Sequence, residues 1–222
     1  MIEGQDSSAG RRVRLGMVGG GQGAFIGAVH RIAARLDDQY NFVAGALSSQ
    51  AGKAMASAAE LGLEPDRSYP DYQTMADAES ARDDGIEVVA IVTPNHVHFP
   101  AAKAFLEAGI HVICDKPMTV TSQEGEELVA LANEKDLILA VTYNYTGYPM
   151  VRQARAMVAN GELGRIRLVQ VEYVQDWLSE DLESSGQKQA AWRTDPAQSG
   201  AGGAIGDIGT HAYNMACFVS GL

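Results

Sequence analysis

The stretch Arg14-Leu-Gly-Met-Val-Gly-Gly-Gly-Gln-Gly-Ala-Phe-Ile-Gly-Ala-Val-His30 decides the fold of this chain. Its apolar start, residues 13–18, is long enough for a buried strand and too short for a helix. Glycines then occupy positions 19–21 and 23, and a helical pattern of apolar residues runs from Ala24 to Leu36. Glycine permits a tight turn and removes the Cβ that would block a pyrophosphate, and a helix N-terminus offers that anion free N–H groups. Strand, glycine turn and helix therefore predict a dinucleotide-binding βαβ unit.

The spacing of these glycines departs from the G-x-G-x-x-G pattern. Gly19 and Gly21 fit its first two positions, but Ala24 stands at the third. Gly27, three residues later, is the glycine best placed for close packing of the helix on the strand. A plain tight turn in an α/β domain gives the same local pattern, so the prediction depends on the rest of the chain.

Four further apolar segments predict strands that alternate with helices, at residues 41–49, 86–92, 110–114 and 137–143. The segment 86–92 is nearly continuous in β-branched residues, as buried parallel strands are. Five strands alternating with helices predict a doubly wound parallel sheet. Later, the alternating segment Arg165–Trp177 predicts a longer, half-exposed strand, and a helix is expected to start near Asp207.

The end of the second strand bears on the choice of cofactor. An acidic residue there would bind the 2′-hydroxyl of an NAD ribose, but the chain has Leu47, Ser48 and Ser49, with Lys53 a turn later. Without a carboxylate, a 2′-phosphate meets no repulsion, and hydroxyls and an amine can hold it. This favours NADP over NAD, although the two serines can also be explained as caps of the following helix.

Composition excludes several classes of function. With 46% hydrophobic and 20% charged residues, the 222-residue chain has the composition of a soluble globular protein. Its net charge of −11 argues against nucleic-acid binding, which requires a basic surface. No apolar run reaches the roughly 20 residues needed to span a bilayer, and the polar N-terminus is unlike a signal peptide. Cys114 and Cys217 are expected to be buried free thiols in a cytoplasmic protein, and no Cys/His spacing indicates a metal site.

Four motifs occur together along the chain: Thr93-Pro-Asn95, Asp115-Lys-Pro117, Trp192-Arg193 and Asp207-Ile-Gly-Thr-His211. With them, residues 12–222 resemble the Gfo/Idh/MocA oxidoreductases, which include glucose–fructose oxidoreductase and inositol dehydrogenase. The resemblance implies a Rossmann domain followed by an α/β domain with a large open sheet. It also implies NAD(P)-dependent oxidation or reduction of a sugar, cyclitol or related polyol.

On this basis we divide the chain into a disordered lead-in (residues 1–12), a dinucleotide-binding Rossmann domain (13–143) and the first part of a substrate and oligomerisation domain (144–222). Members of the family continue past the last helix into antiparallel strands that floor the substrate site and usually form the oligomer. Since this sequence ends at Leu222, we expect a truncated form. The expected partners are a sugar or polyol substrate and further copies of the chain, with no nucleic acid and no membrane.

The resemblance also assigns site residues. Lys116 matches the catalytic lysine of the family's Glu-Lys-Pro motif, and Asp207 and His211 match its catalytic Asp/His pair. Asp115 replaces the usual glutamate, which shortens that side chain, and Arg193 is placed to approach the cofactor from the second domain. The predicted cofactor contacts are Gly19, Gly21, Gln22, Gly23, Ala24, Phe25, Ile26, Ser48, Ser49, Lys53, Thr93, Pro94, Asn95, His98, Asp115, Lys116, Asn144, Trp192 and Arg193.

These residue types suit hydride transfer from a secondary alcohol, which needs a base for the hydroxyl proton. His211 has an ordinary pKa of about 6.5, suited to neutral pH. Asp207 lies four residues earlier on the same helix face, where it is expected to orient the imidazole. Lys116 can donate to the substrate oxygen and stabilise its developing charge. Taken alone, the pair also fits a surface histidine beside a helix-capping aspartate.

No catalytic role is assigned to His30, His96 or His111, and the Met and Tyr residues around 143–157 are expected to pack the domain junction. Two other functions remain open. Some relatives use a tightly held NAD to cleave glycosides by transient oxidation. A non-catalytic nucleotide-binding regulatory protein is the other alternative, but it would need neither the lysine nor the Asp/His pair.

Overall fold

Five parallel strands form one sheet in this computed structural model, which describes residues 10–222. The strands are β1 (Val13–Gly19), β2 (Tyr40–Ala46), β3 (Val88–Val92), β4 (His111–Cys114) and β5 (Leu139–Val141). Their order in the sheet is β2-β1-β3-β4-β5, so the chain runs outward from β1 in both directions, and the predicted doubly wound sheet is confirmed.

Helices connect the strands and continue after the sheet. They are α1 (Phe25–Leu36), α2 (Ala51–Glu60), α3 (Tyr72–Ser80), α4 (His98–Glu107), α5 (Ser122–Glu134), α6 (Pro149–Ala159), α7 (Lys188–Arg193), α8 (Pro196–Ser199) and α9 (Thr210–Ser220). The sequence explains where α5 begins: Thr121 caps it, and Glu124 bonds back to the Thr121 N–H in a capping box. A π-helical turn, Ile205–Gly209, leads directly into α9.

The sheet is buried on both faces by two apolar clusters. All five residues of β3 are buried, and their side chains alternate between the clusters. Val89 and Ile91 join Phe105 and Leu106 of α4 on one face, while the alternate residues of β3 pack beside Met17 on the other. This burial on both faces accounts for the continuous β-branched run in the sequence, which a half-exposed strand would not need.

A buried ion pair holds α3 against the start of β3. The carboxylate of Glu79, which has no exposed side-chain surface, accepts hydrogen bonds from the Arg67 guanidinium, from the Tyr69 hydroxyl at 2.7 Å and from the Ile86 N–H at 2.9 Å. The Arg67 side chain is 8% exposed. Removing one partner of such a pair leaves the other charge buried without compensation.

One prediction of structure needs correction, and another lies mostly outside the described residues. The segment 165–177 is not a strand, because no neighbouring strand among the described residues offers it a hydrogen-bonded partner, and Leu168 and Val174 are 82% and 86% exposed. Most of the predicted disordered lead-in, residues 1–9, lies outside the described residues. The last two residues of the predicted lead-in form ion pairs, Arg11 with Glu87 and Arg12 with Asp38.

Candidate active site

One large cleft, with a volume of about 1330 Å³, opens at the carboxyl ends of the strands. It collects nearly all of the residues that the sequence analysis predicted for the site. Those lining it are Gly19, Gly21, Gln22, Ala24, Phe25, Ile26, Ser48, Ser49, Lys53, Thr93, Pro94, Asn95, Asp115, Lys116, Asn144, Trp192, Arg193, Asp207 and His211. Gly23 and His98 are the predicted residues that do not line it.

The glycine loop shows why each glycine is needed. Gly19, Gly20 and Gly23 have positive φ angles of 80°, 74° and 72°, which residues with a Cβ rarely adopt. A Cβ on Gly27 would lie 2.4 Å from the Gly20 Cα, so the prediction that Gly27 permits close helix–strand packing is confirmed.

Gly21 lines the cleft and also has a packing role. A Cβ there would meet the Leu47 carbonyl oxygen at 2.6 Å and the Ser57 Oγ at 2.7 Å. Gly21 therefore permits close packing against the end of β2, and its expected role beside a pyrophosphate stays a prediction.

The N-terminus of α1 faces the cleft with free N–H groups. Its N-cap residue, Ala24, makes no side-chain cap, and the first turn contains no acidic residue that would compete with an anion. Beneath the loop, Arg31 Nη1 donates to the Gly20 carbonyl oxygen at 2.8 Å. A Cβ on Gly23 would have only Lys53 Nζ nearby, at 3.8 Å, which places this amine beside the loop. Backbone donors and two cations make this end of the cleft suitable for phosphate groups.

At the end of β2, α2 has no side-chain cap, so the capping explanation for the serines is not supported. Ser48 Oγ accepts a hydrogen bond from the N–H of Gln50, the N-cap residue of α2, at 3.1 Å. Ser48 and Ser49 nevertheless line the cleft together with Lys53.

The loop after β3 joins the cleft to the later part of the chain. Thr93 Oγ1 is buried and has no hydrogen-bond partner among the described residues. The buried Asn95 side chain donates to the Ser199 carbonyl oxygen at 2.8 Å and so ties the loop to α8.

The prediction that His98 contacts the cofactor needs correction. The residue is 1% exposed, and its ring nitrogens face the carbonyl oxygens of Pro117 at 2.7 Å and Thr93 at 2.9 Å. Burial, the largest influence, lowers the pKa of His98, although hydrogen bonds from the ring to these two carbonyls act in the opposite direction. The His98 side chain therefore links the loop after β3 to the loop after β4, and residues of both loops line the cleft.

Lys116 and Asp207 meet across 91 residues of sequence. Lys116 Nζ donates to Asp207 Oδ1 at 2.7 Å and also to the Asp207 main-chain carbonyl, while Arg193 Nε donates to Asp207 Oδ2 at 3.1 Å. Burial alone would raise the pKa of Asp207, but the hydrogen bond and charge of Lys116 and the charge of Arg193 outweigh it and lower that pKa. Asp207 is thus a carboxylate that holds two cations at the cleft.

The expected orientation of His211 by Asp207 is not found: among the described residues no hydrogen bond joins the two side chains, and the carboxylate oxygens pair with Lys116 and Arg193. Instead, aromatic rings surround the His211 imidazole, with the ring centroid of Tyr145 at 4.7 Å and that of Tyr143 at 5.9 Å. Burial, followed by the positive charge of Lys116, lowers the pKa of His211 to about 4. The imidazole is therefore neutral at neutral pH and can accept a proton.

Several aromatic residues of the cleft were missed by the sequence analysis, which expected the tyrosines around 143–157 to pack the domain junction and placed Tyr173 in a strand. Tyr145 and Tyr173 both line the cleft and share a hydrogen bond of 2.6 Å between their hydroxyls. Gln175 donates to Tyr173, and Trp177 donates to Gln175. The alternate residues Tyr173, Gln175 and Trp177 supply this wall, and their alternation was the available signal.

Asp115 makes contacts that the sequence analysis did not foresee. Its Oδ1 accepts from Thr142 Oγ1 at 2.7 Å and lies 2.9 Å from Nε2 of His30, a residue to which no role was assigned. His30, Asp115 and Thr142 all line the cleft. The replacement of glutamate by aspartate therefore leaves a carboxylate that two other elements hold in place.

The residues present fit a dinucleotide. The volume of the cleft is above the roughly 300–1,000 Å³ typical of small-ligand pockets. The cleft therefore has room for a cofactor together with a substrate. The buried hydroxyl of Thr93 has no hydrogen-bond partner within residues 10–222, and the glycine loop presents a helix N-terminus without a side-chain cap. In residues 10–222, no group of three or more His, Cys, Asp or Glu side chains is arranged to hold a metal ion. None of the helices in this range is long and apolar enough to cross a membrane.

Comparison with known proteins agrees with this geometry. Residues 13–143 match the family described as "Oxidoreductase family, NAD-binding Rossmann fold", and residues 151–222 match "GFO/IDH/MocA C-terminal domain". The uncharacterized oxidoreductase YfiI of Bacillus subtilis is 44% identical over 91% of this chain and 52% of its own length. Levoglucosan dehydrogenase of Pseudarthrobacter phenanthrenivorans is 35% identical over 95% of this chain and 52% of its own length.

Among solved structures, an inositol dehydrogenase homolog from Azotobacter vinelandii complexed with NAD+ superposes with a TM-score of 0.90 at 41% identity. The match covers 94% of this chain and 54% of that one. The chain thus spans about half the length of the relatives it matches. The family matches, the parallel sheet and the cleft lead to one conclusion: this chain belongs to the Gfo/Idh/MocA family of NAD-binding oxidoreductases.

Proposed function

We propose that this chain forms the cofactor and catalytic cleft of an NAD(P)-dependent dehydrogenase that acts on a secondary hydroxyl of a sugar or cyclitol. The observation that carries the proposal is the meeting of Lys116 with Asp207 beside His211, in the same cleft as the glycine loop. The names of two relatives, a levoglucosan dehydrogenase and an inositol dehydrogenase homolog, support the substrate class.

In this proposal the cofactor-binding residues and most of the catalytic residues come from different regions of the chain. Residues 13–143 bind the cofactor and supply Lys116, and residues 144–222 supply Asp207, His211 and the aromatic wall. A bound nicotinamide supplies the acceptor or donor of the hydride.

The chain's own residues handle the proton and the charge. Neutral His211 accepts the proton of the substrate hydroxyl, since its lowered pKa keeps it unprotonated at neutral pH. Lys116 donates a hydrogen bond to the substrate oxygen and stabilises its negative charge as the carbonyl forms. Asp207 holds the Lys116 ammonium in place through its 2.7 Å contact, and Arg193 holds the other oxygen of Asp207.

We further propose that the cofactor site favours NADP. Residues 46–53, at the end of β2 and the start of α2, contain no Asp or Glu, and Ser48, Ser49 and Lys53 line the cleft there. A 2′-phosphate would meet two hydroxyls and an amine instead of a carboxylate. Ser48→Asp should shift the preference toward NAD. A wild type that binds NAD much more tightly than NADP would contradict this proposal.

The activity is tested by offering a panel of sugars and inositols with NAD and NADP to the full-length protein that carries this chain, and following the absorbance of reduced nicotinamide. We expect reduction of cofactor that requires both the polyol and Lys116, and the Lys116→Met variant is the control. Dinucleotide binding without turnover of any sugar or inositol would contradict the dehydrogenase activity. Retained NAD with glycoside cleavage and no net turnover would indicate the hydrolase alternative.

A further inference from the structure

A three-residue cluster at one side of the cleft is not used by the mechanism above. Asp115 follows β4, Thr142 follows β5, and His30 lies on α1. The side chains of His30 and Asp115 are 14% and 16% exposed, and all three residues line the cleft. Three separate elements of the fold therefore converge on one partly buried carboxylate.

The hydrogen bonds of this cluster are unevenly distributed over the carboxylate. His30 Nε2 and Thr142 Oγ1 both meet Oδ1 of Asp115, at 2.9 Å and 2.7 Å. Among the described residues, no side chain or main-chain donor meets Oδ2. An ionised carboxylate has about four acceptor positions, so Oδ2 keeps its capacity to accept a hydrogen bond from a group in the cleft.

The order of the strands indicates which part of a dinucleotide reaches Asp115. The glycine loop follows β1, and Ser48 and Ser49, which are expected to face the adenosine ribose, follow β2. In the sheet, β4 and β5 lie on the other side of β1 from β2. A dinucleotide whose pyrophosphate sits at the glycine loop places its second half over β4 and β5. Asp115, next to Lys116, lies under that half.

We propose that His30 and Thr142 are positioning residues that hold Asp115 for the nicotinamide riboside half of the cofactor. They bind one carboxylate oxygen, so that the other accepts a hydrogen bond from a ribose hydroxyl or from the carboxamide amine. The aspartate side chain is one methylene shorter than the glutamate common at this position, so its orientation depends on these two donors. This inference rests on the proposed function.

The test compares binding of a whole dinucleotide with binding of its adenosine half. Dissociation constants of NADH and NADPH, and of their fragments ADP and 2′-phospho-ADP, are measured by calorimetry for the 222-residue chain and its variants. His30→Leu should weaken binding of the dinucleotide about tenfold, because a hydrogen bond to a charged group is lost. Binding of the fragment should stay unchanged, since the fragment does not reach Asp115.

Matched variants separate positioning from a structural role. His30→Gln should restore dinucleotide affinity, because its amide nitrogen lies at nearly the same distance from the main chain as Nε2 of histidine. Thr142→Val should weaken dinucleotide binding in the same direction as His30→Leu, whereas Thr142→Ser should not. Thermal unfolding of each variant checks the fold, and the Thr142 pair keeps the test valid if His30→Leu does not fold.

The outcomes are distinguishable. Equal loss of affinity for dinucleotide and fragment, or no loss for either, would overturn the positioning role while the proposed cofactor site stands. A wild type that binds neither the dinucleotides nor the fragments would overturn the proposed function, and this inference with it.

Discussion

Residues 13–143 and residues 144–222 differ in where their stability comes from. The first region contains the two apolar clusters around the sheet, and nearly all buried apolar residues of the described chain belong to it. In the second region, large apolar side chains such as Met150, Leu168 and Val174 are exposed. Its links to the first include hydrogen bonds and ion pairs, such as Lys116 to Asp207 and Asn95 to Ser199, and the packing of Tyr143 against His211.

The residues that stabilise the fold and the residues proposed for catalysis therefore lie in different parts of this chain. The parallel sheet is stabilised by burial within the first region. The candidate catalytic cluster needs both regions, because Lys116 lies in one and Asp207 and His211 in the other. Substitutions should therefore affect folding mostly in the first region and turnover at the meeting point of the two.

The largest expected effect is on turnover. Lys116→Ala and His211→Ala should each lower kcat on the order of 10²–10⁴-fold, because each removes a group that acts on the substrate oxygen or its proton. Steady-state kinetics with a sugar or inositol substrate would measure this. Dissociation constants of the cofactor should change far less than kcat. A near-normal rate in either variant would remove that residue from the mechanism.

The pH profile of the wild type sharpens the assignment of His211. Its pKa is lowered to about 4, so the imidazole loses its ability to accept a proton only when the pH falls through that value. The acid limb of kcat/KM should therefore lie near pH 4 instead of near the ordinary value of about 6.5 for histidine. Circular dichroism over the same range serves as the control for folding. An acid limb near the ordinary value would contradict this assignment.

The next largest effect concerns stability of the first region. Glu79→Gln should lower the free energy of unfolding by about 3–5 kcal/mol, since it leaves the buried Arg67 guanidinium without its carboxylate. Asp84→Asn is the matched control: Asp84 also pairs with Arg67 but is 63% exposed, so its loss should cost far less than the loss of Glu79. Urea denaturation measures both. Equal losses in the two variants would show that burial does not set the strength of this network.

A smaller effect is expected at the packing of α1 on β1. Gly27→Ala would place a methyl group 2.4 Å from the Gly20 Cα, and such overpacking typically costs about 1–3 kcal/mol. Gly52→Ala, on the exposed start of α2 with open space around it, should cost nothing and should stabilise the fold by up to about 1 kcal/mol. Thermal unfolding compares the two. A neutral Gly27→Ala would show that the helix can move away from the glycine loop without cost.

The two regions were also unequally predictable from the sequence. In the first region, short local patterns are enough to predict the secondary structure. Continuous apolar runs such as 86–92 indicate strands, glycines indicate turns, and the Thr121–Glu124 cap marks the start of α5. All five strands were predicted. The second depends on contacts that local patterns do not contain. The alternation over 165–177 predicted a strand, but a strand needs a partner, and the described residues provide none.

Within the site, spacing predicted which residues share the cleft but not how they pair. Helical spacing placed Asp207 beside His211, whereas the structure shows Asp207 bonded to Lys116, 91 residues away in sequence. A long-range ion pair outcompetes a local contact when it neutralises two charges, and sequence spacing cannot reveal that competition. The same applies to His30, which reaches Asp115 only because α1 packs across the sheet.

The cleft itself can be tested directly through tryptophan fluorescence. The chain has two tryptophans, Trp177 and Trp192, and both line the cleft. If the cleft binds the cofactor, titration with NADH or NADPH should quench tryptophan emission to saturation and produce sensitised emission from the reduced nicotinamide. Tryptophan emission that stays unchanged at cofactor concentrations where calorimetry detects binding would place the nucleotide elsewhere and contradict the account.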